Sequence, residues 1–443
     1  MEGKYDILLK KLNAIKDEGM LDGEDANRSE NLHRLFMYPA MMVPATQSAI
    51  IEAITYILPS NSKAIDPFMG SGTSILSCME YGFDVFGQDI NPFAVLLSKA
   101  KATQYDLDGF ESSFLSIVDH IHNDDDDTID VSFTNIDKWF NKEIQIALSK
   151  IRRAIQSEPR REFRFFFWAI MSEAIRIGSN DRTSTFKLHI RSNEDIQSRR
   201  IDIIKEFLLL CRRGISDLSE YRVKLQKEHL LNGSSGYSGS CEIVWGDTQS
   251  KIETDAIFDI LVSSPPYGDN HTTVTYGQSC YLPLQWIDPK DIDCPYDYLK
   301  TTQEIDRHSL GGRINRSILL QSISHLFEKS PELAKFYQSI PQSEKGKYYK
   351  TLSFISDFDE SLSSILQNMN PNAFYVWTIG NRFVGNREIP NAEILIDLMQ
   401  SRGINLFFSA ERRILNKKQA RRNSSSCTME KERILVFHNI ADQ

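Results

Sequence analysis

The chain has 443 residues, 41% of them hydrophobic and 25% charged, which are the proportions of a folded water-soluble protein of two or three domains. It contains no apolar run long enough to span a bilayer, and its charged N-terminus is unlike a signal sequence. A net charge of −9 argues against a uniformly basic nucleic-acid-binding chain, so the distribution of Lys and Arg matters more than their sum.

Residues 1–32 read as a polar helix and a mobile linker, marked by Gly19, Gly23 and the run Glu24 to Asn27. Residues 33–104 read as helix, strand, glycine loop, helix, strand and helix, the first half of a doubly wound α/β sheet. Residues 105–240 have few strand signals and long helical patterns at 139–155, 162–177 and 195–211. They end in a Gly- and Ser-rich stretch, 232–239, expected to be a flexible linker. This segment is expected to be a helical insertion that contacts DNA if the protein binds DNA.

The sheet resumes in 241–270, with strands at 241–247 and 258–262. Residues 271–369 read as a second helical insertion, a candidate for target recognition. The core returns in 370–443, with a strand at 373–378, a helix at 391–401 stopped by Gly403, and two strands at 405–410 and 433–437. The connection 416–431 is basic and Ser-rich. There are no internal repeats.

Six cysteines stand at 78, 211, 241, 280, 294 and 427 without Cys-x-x-Cys spacing. That pattern predicts reduced thiols, a cytoplasmic setting and no metal. Cys280, Cys294 and His271 follow no standard metal-site spacing. Acid is concentrated at Asp124 to Asp127 and Asp288 to Asp297. Base is concentrated at Arg152-Arg153, Arg160-Arg161-Arg164, Arg199-Arg200, Arg212-Arg213, Arg412-Arg413, Lys417-Lys418 and Arg421-Arg422. One such cluster is ordinarily a solvated face; several in an acidic chain predict a DNA-facing surface.

Two motifs carry the chemistry. In Leu261-Val262-Ser263-Ser264-Pro265-Pro266-Tyr267-Gly268 an apolar strand meets two prolines, which cannot donate to a sheet ladder and end the strand. The stiff corner can grip a planar amine by hydrogen bonds at its edge and by stacking on its face; alone it could also be a plain turn. Upstream, Ala64-Ile65-Asp66-Pro67-Phe68-Met69-Gly70-Ser71-Gly72-Thr73 carries a strand into a two-glycine loop and an apolar helix. Such a turn lets a ligand approach the backbone closely. It is neither the Gly-x-Gly-x-x-Gly fingerprint of nicotinamide enzymes nor a phosphate loop. Val85-Phe86-Gly87-Gln88-Asp89-Ile90-Asn91 follows, a second strand ending in an acid placed for ribose hydroxyls.

Together these motifs resemble the DNA amino-methyltransferases, which move a methyl group from S-adenosylmethionine to an exocyclic amine, cytosine N4 or adenine N6. The resemblance implies a Rossmann-like methyltransferase sheet with the two helical insertions. It implies that Asp66, Phe68, Gly70, Gly72 and Thr73 cradle the methionine end of the cofactor, that Asp89 holds its ribose, and that Ile90 belongs to the same cofactor site. Phe36-Met37-Tyr38-Pro39-Ala40 resembles the segment that packs on the cofactor's methionine, which assigns Tyr38 and Pro39 to that site. Ile243 to Asp247 resembles the third strand, whose Asp247 would meet the adenine amine. Ser264, Pro265, Pro266 and Tyr267 would hold the flipped base.

The runs 268–278, 182–189, 379–382 and 411–414 are similar to a restriction-associated subgroup. That implies duplex DNA and a cognate restriction endonuclease as partners. The order here, cofactor loop first and Pro-Pro-Tyr second, is the reverse of many cytosine-N4 enzymes with this motif style.

The exocyclic amine is a poor nucleophile because its lone pair is conjugated with the ring. It needs acceptors for both hydrogens and alignment with the methyl group, not a covalent intermediate. Ser264 Oγ and the carbonyl before Pro266 can accept, and Tyr267 can stack. Within the family, serine at this position goes usually with cytosine N4 and aspartate with adenine N6. The expected activity is therefore cytosine-N4 methylation of duplex DNA, with adenine-N6 methylation or an RNA amino-methyltransferase as alternatives. A non-catalytic DNA-binding subunit and a hydride-transferring enzyme are further rivals, opposed by the intact motifs and by the wrong glycine fingerprint. The loop 182–189 is either a DNA contact or a turn packed in the helical region.

Overall fold

The computed structural model describes residues 3–22, 31–59, 61–233, 236–271, 273–414 and 430–439. The apolar runs form seven strands: β1 (Lys63–Asp66), β2 (Asp84–Asp89), β3 (Cys241–Trp245), β4 (Phe258–Ser263), β5 (Met369–Ile379), β6 (Asn405–Arg413) and β7 (Lys431–His438). They make one sheet in the order β6-β7-β5-β4-β1-β2-β3. The five strands from β3 to β5 are mutually parallel, and β7 runs antiparallel to both β5 and β6. The doubly wound α/β expectation is met.

Parallel strands are covered on both faces, so both sides of each must be apolar. In β4, Ile260 and Val262 point into one apolar layer and Leu261 into the other. The first layer holds the helices Pro44–Thr55, Pro92–Ala102, Arg161–Gly178 and Ile203–Lys227. The second holds Tyr349–Leu366 and Asn391–Gln400.

Several expectations are refined. The first helix, Lys4–Asp17, is not merely polar: Leu8 and Leu12 are buried in the first layer, and Tyr5 packs on Phe407 and His438 of β6 and β7. The linker residues 23–27 lie outside the described residues. The pattern at 139–155 is a short turn of helix, Ile136–Trp139, then Lys142–Ser157. The pattern at 195–211 is two helices, Asn193–Ser198 and Ile203–Lys227. The break has a cause: Arg199 donates to the carbonyls of Ser179 and Ile177, and Asp202 caps the second helix through Lys205 N.

The stretch expected to be a flexible linker is anchored. Leu231–Asn232 pairs with Gly236–Tyr237, and the Tyr237 hydroxyl donates to the carbonyls of Met79 and Phe83. Phe166, Phe167 and Trp168 of the first insertion share one continuous apolar cluster with Phe93, Ile260 and Val376. The second insertion ends in Tyr349–Leu366, the crossover helix between β4 and β5, which packs directly on the sheet. A small hairpin, Arg382–Val384 with Arg387–Ile389, had no clear sequence signal.

Candidate active site

β2 and β3 lie on one side of β1, and β4 lies on the other. The crevice beyond the carboxyl ends of the strands at such a switch point is where open α/β sheets bind ligands. Here it is a cleft with about 630 Å³ of space between atoms, open solvent at its mouth included. Its walls include Tyr38, Phe68, Gly70, Asp89, Ile90, Asn91, Asp247, Ser264, Pro266 and Asn270. Tyr276, Ile305, His308, Ser309 and Leu310 of the second insertion line it as well.

The glycine loop is fixed from beneath. Asp66 is buried, and its carboxylate accepts from Phe68 N at 3.0 Å, Ser263 Oγ at 2.7 Å and Ser74 Oγ. It therefore ties β1, the loop, the following helix and the end of β4 together. Burial pushes its carboxyl up to about 6. Gly70 and Gly72 have φ of +52° and +78°, conformations that side chains with a Cβ rarely adopt. A Cβ on Gly72 would also lie 2.8 Å from Ser98 Oγ. Ser98 donates to the Gly70 carbonyl, and the fully buried Lys101 donates to the Ser71 carbonyl at 2.7 Å. Burial lowers Lys101 to about 7.

Asp89 ends β2 beside this loop. One carboxylate oxygen accepts from Gly70 N and the other from Asn91 N, each at 2.8 Å. Burial raises Asp89 to about 6. Asn91 Nδ2 donates to Tyr38 Oη at 2.9 Å, and the Tyr38 ring stacks on Tyr276 at 5.5 Å. Trp245 Nε1 and Tyr296 Oη both donate to the Ile90 carbonyl. His308 stacks on Tyr296 at 3.8 Å. Asp247 lines the cleft while capping Gln249 N.

At the other end of the cleft β4 stops at Ser263. Ser264 and Pro266 face the cleft; Pro265 is buried. Ser264 Oγ lies 3.1 Å from Tyr267 Oη, which donates to Glu432 Oε1 at 3.0 Å. Glu432 is ion-paired with Arg412, its cross-strand neighbour in the β6–β7 hairpin. Asn391 Nδ2 donates to the Tyr267 carbonyl at 2.9 Å.

Of the residues singled out from sequence, the cleft brings together Tyr38, Phe68, Gly70, Asp89, Ile90, Asp247, Ser264 and Pro266. Pro39, Asp66, Gly72, Thr73, Pro265 and Tyr267 stand behind them. The Tyr267 ring packs against the second apolar layer with its hydroxyl tethered. Sequence reasoning gave no individual site role to Asn91, Asn270, Tyr276 or Arg412, and it did not single out Asn391 or Glu432. Only Asn91 carried a local signal, as the helix cap before Pro92.

The charge clusters need correction. Asp124 pairs with Arg153 and Asp127 with Lys150, and Asp291 and Asp293 pair with Arg164, Arg161 and Lys99. Arg160 pairs with Glu158 and Arg412 with Glu432. Arg153, Arg160, Arg161, Arg164 and Arg412 are thus engaged by acids of the same chain, whereas Arg199 and Arg200 donate to backbone carbonyls. Arg164, bidentate to Asp291 with Trp168 Nε1 joining them, joins the two insertions. Arg182, Ser184, Lys187 and His189 are exposed, and the loop is held by Leu188 N donating to Gln278 Oε1. Lys417, Lys418, Arg421 and Arg422 lie outside the described residues.

Asn91 Nδ2 donates to Cys280 Sγ, whereas Cys294 donates to the Tyr296 carbonyl. Among the described residues no group of three or more His, Cys, Asp or Glu could hold a metal ion. No described helix is long and apolar enough to cross a membrane.

No protein-family model matches the chain. It is 32% identical over 456 aligned residues to the Type II methyltransferase M.MvaI of Kocuria varians, covering 98% of this chain and 96% of that protein. A stretch of 98 residues, 21% of this chain and 17% of the other, is 30% identical to the Type II methyltransferase M.MjaII of Methanocaldococcus jannaschii. The rRNA methyltransferase aviRa of Streptomyces viridochromogenes aligns over 94% of this chain and 92% of its own at 10% identity, with a TM-score of 0.29. On the near full-length relationship, which spans both the glycine loop and the Ser-Pro-Pro-Tyr corner, the chain belongs to the Type II DNA methyltransferases.

Proposed function

We propose that the protein transfers a methyl group from S-adenosylmethionine to the N4 amine of a flipped cytosine in duplex DNA, as the modification enzyme of a restriction system. The observation that carries this reading is the single cleft joining Gly70, Asp89 and Asp247 at one end to Ser264 and Pro266 at the other.

The residues present fit the cofactor. Tyr38, Phe68 and Gly70 would take its methionine end, Asp89 its ribose hydroxyls, and Ile90 and Asp247 its adenine. Asn270 adds a buried amide oxygen on the same wall that has no partner among the described residues. When bound, S-adenosylmethionine supplies an activated methyl on a sulfonium centre.

Ser264 Oγ and the Pro265 carbonyl accept the two hydrogens of the target amine and hold its nitrogen in line for transfer. The neutral hydroxyl supports cytosine, whose ring N3 beside the amine is an acceptor that an ionised carboxylate would repel. The base must leave the stack, which costs a few kcal/mol that phosphate contacts help to offset. Exposed Arg182 and Lys187 are the phosphate contacts we favour.

Tritiated S-adenosylmethionine, offered with duplex DNA, single-stranded DNA or RNA, tests the substrate. Label in duplex DNA, lost in Ser264→Ala, is expected; label in RNA alone would overturn the reading.

A further inference from the structure

Building on Ser264 as the acceptor for the target amine, we infer that Glu432, held by Arg412, sets the direction of the hydrogen-bond chain that ends at Ser264. Glu432 is a positioning residue for methyl transfer.

Arg412 has only donors, and it occupies one oxygen of Glu432. The other oxygen can only accept in the ion-paired carboxylate, and it lies 3.0 Å from Tyr267 Oη. Tyr267 has one proton, and Glu432 receives it; burial holds the phenol well above its ordinary value, so that proton stays. The 3.1 Å contact between Tyr267 Oη and Ser264 Oγ then admits one polarity, with Ser264 donating. The serine's only proton is turned away from the amine, and its lone pairs face the cleft. A serine free to rotate would spend part of its time presenting a hydrogen to an amine that also needs to donate. Arg412 and Glu432 are fixed opposite each other by the β6–β7 register, so the network comes preassembled.

The isosteric Glu432→Gln is the sharpest test, because it should reverse the chain. Arg412 will claim the amide oxygen, which leaves the amide NH2 to donate to Tyr267. Tyr267 then donates to Ser264, and the serine hydrogen points into the cleft. We expect kcat to fall roughly ten- to hundredfold, the scale of a lost positioning hydrogen bond, with KM for DNA and Kd for S-adenosylmethionine unchanged. Tyr267→Phe in the Glu432→Gln background cuts the reversed chain and frees Ser264 to rotate. The double variant should therefore be faster than Glu432→Gln alone, an outcome that a purely structural role for Glu432 does not produce.

Wild-type kcat in Glu432→Gln, with Ser264→Ala inactive, overturns the inference and leaves the Ser264 reading standing. Additive losses in the double variant also overturn it. A fully active Ser264→Ala removes the reading beneath it. Should Glu432→Gln not fold, Tyr267→Phe alone decides: a severalfold drop in kcat at unchanged cofactor affinity is expected, and wild-type kcat overturns the inference.

Discussion

Replacing Asp89 should disable cofactor binding through two contacts at once. Its carboxylate holds Gly70 N and Asn91 N at 2.8 Å each while lining the cleft. A charge-assisted hydrogen bond is worth roughly 1.5–3 kcal/mol. Losing the ribose contact alone predicts a Kd for S-adenosylmethionine weaker by roughly ten- to hundredfold. Asp89→Ala also frees the Gly70 amide, so the loss should sit at the upper end. Asp89→Asn should do little better, because an amide can accept from only one of the two backbone donors. Isothermal titration with S-adenosylmethionine at pH 7.5 measures this directly.

The same residue gives a pH signature. Its carboxyl is raised to about 6 by burial, so cofactor affinity should be flat above pH 7 and fall as the pH drops through 6. The fall for one proton approaches roughly tenfold per pH unit. The sign for stability is opposite. A raised carboxyl binds its proton more readily in the folded chain, so its contribution to stability is present below the unfolded value and lost as pH rises through 6. Weaker binding at pH 5.5 is therefore not explained by unfolding at this group. Unchanged affinity in Asp89→Ala, or the same pH profile with and without Asp89, would refute the reasoning.

Gly70→Val should abolish S-adenosylmethionine binding and also lower the melting temperature, because φ of +52° strains a β-branched residue in a loop at the cleft; a thermal melt and calorimetry well below the shifted transition check both halves. Ser264→Ala should leave cofactor Kd nearly unchanged and reduce methyl transfer by orders of magnitude, read as kcat under saturating cofactor. Asp291→Ala should destabilise the fold by about 3–5 kcal/mol, because it leaves Arg164 buried without its bidentate partner. Urea unfolding followed by tryptophan fluorescence will show the shift, and an unchanged midpoint would mean the pair is not a structural tie.

The parts of the site that were legible in the sequence are those whose chemistry is local. Asp66 to Thr73 and Ser263 to Tyr267 are continuous runs, and strand, turn and glycine signals place them at strand ends whatever else the chain does. The parts that were not legible depend on register between distant strands. Glu432 lies 165 residues from Tyr267, and the pairings of β4 with β5 and of β5 with β7 bring them together. Asn391 reaches the Tyr267 carbonyl from 124 residues away.

The Arg160-Arg161-Arg164 cluster misled for the same reason. A run such as Arg160 to Arg164 looks basic until Asp291, 127 residues on, is folded against it. The helix expected over 195–211 was broken by a side chain, Arg199, that found carbonyls of an earlier helix. The Tyr237 hydroxyl, bonded to two carbonyls, turned a glycine-rich stretch from linker into anchor.

The methylated base can be identified directly. Duplex DNA carrying many sequence contexts, treated with the protein and S-adenosylmethionine and digested to nucleosides, can be read by mass spectrometry. The Ser264 corner predicts N4-methylcytosine, absent from DNA treated with Ser264→Ala. N6-methyladenine in its place would contradict the cytosine assignment.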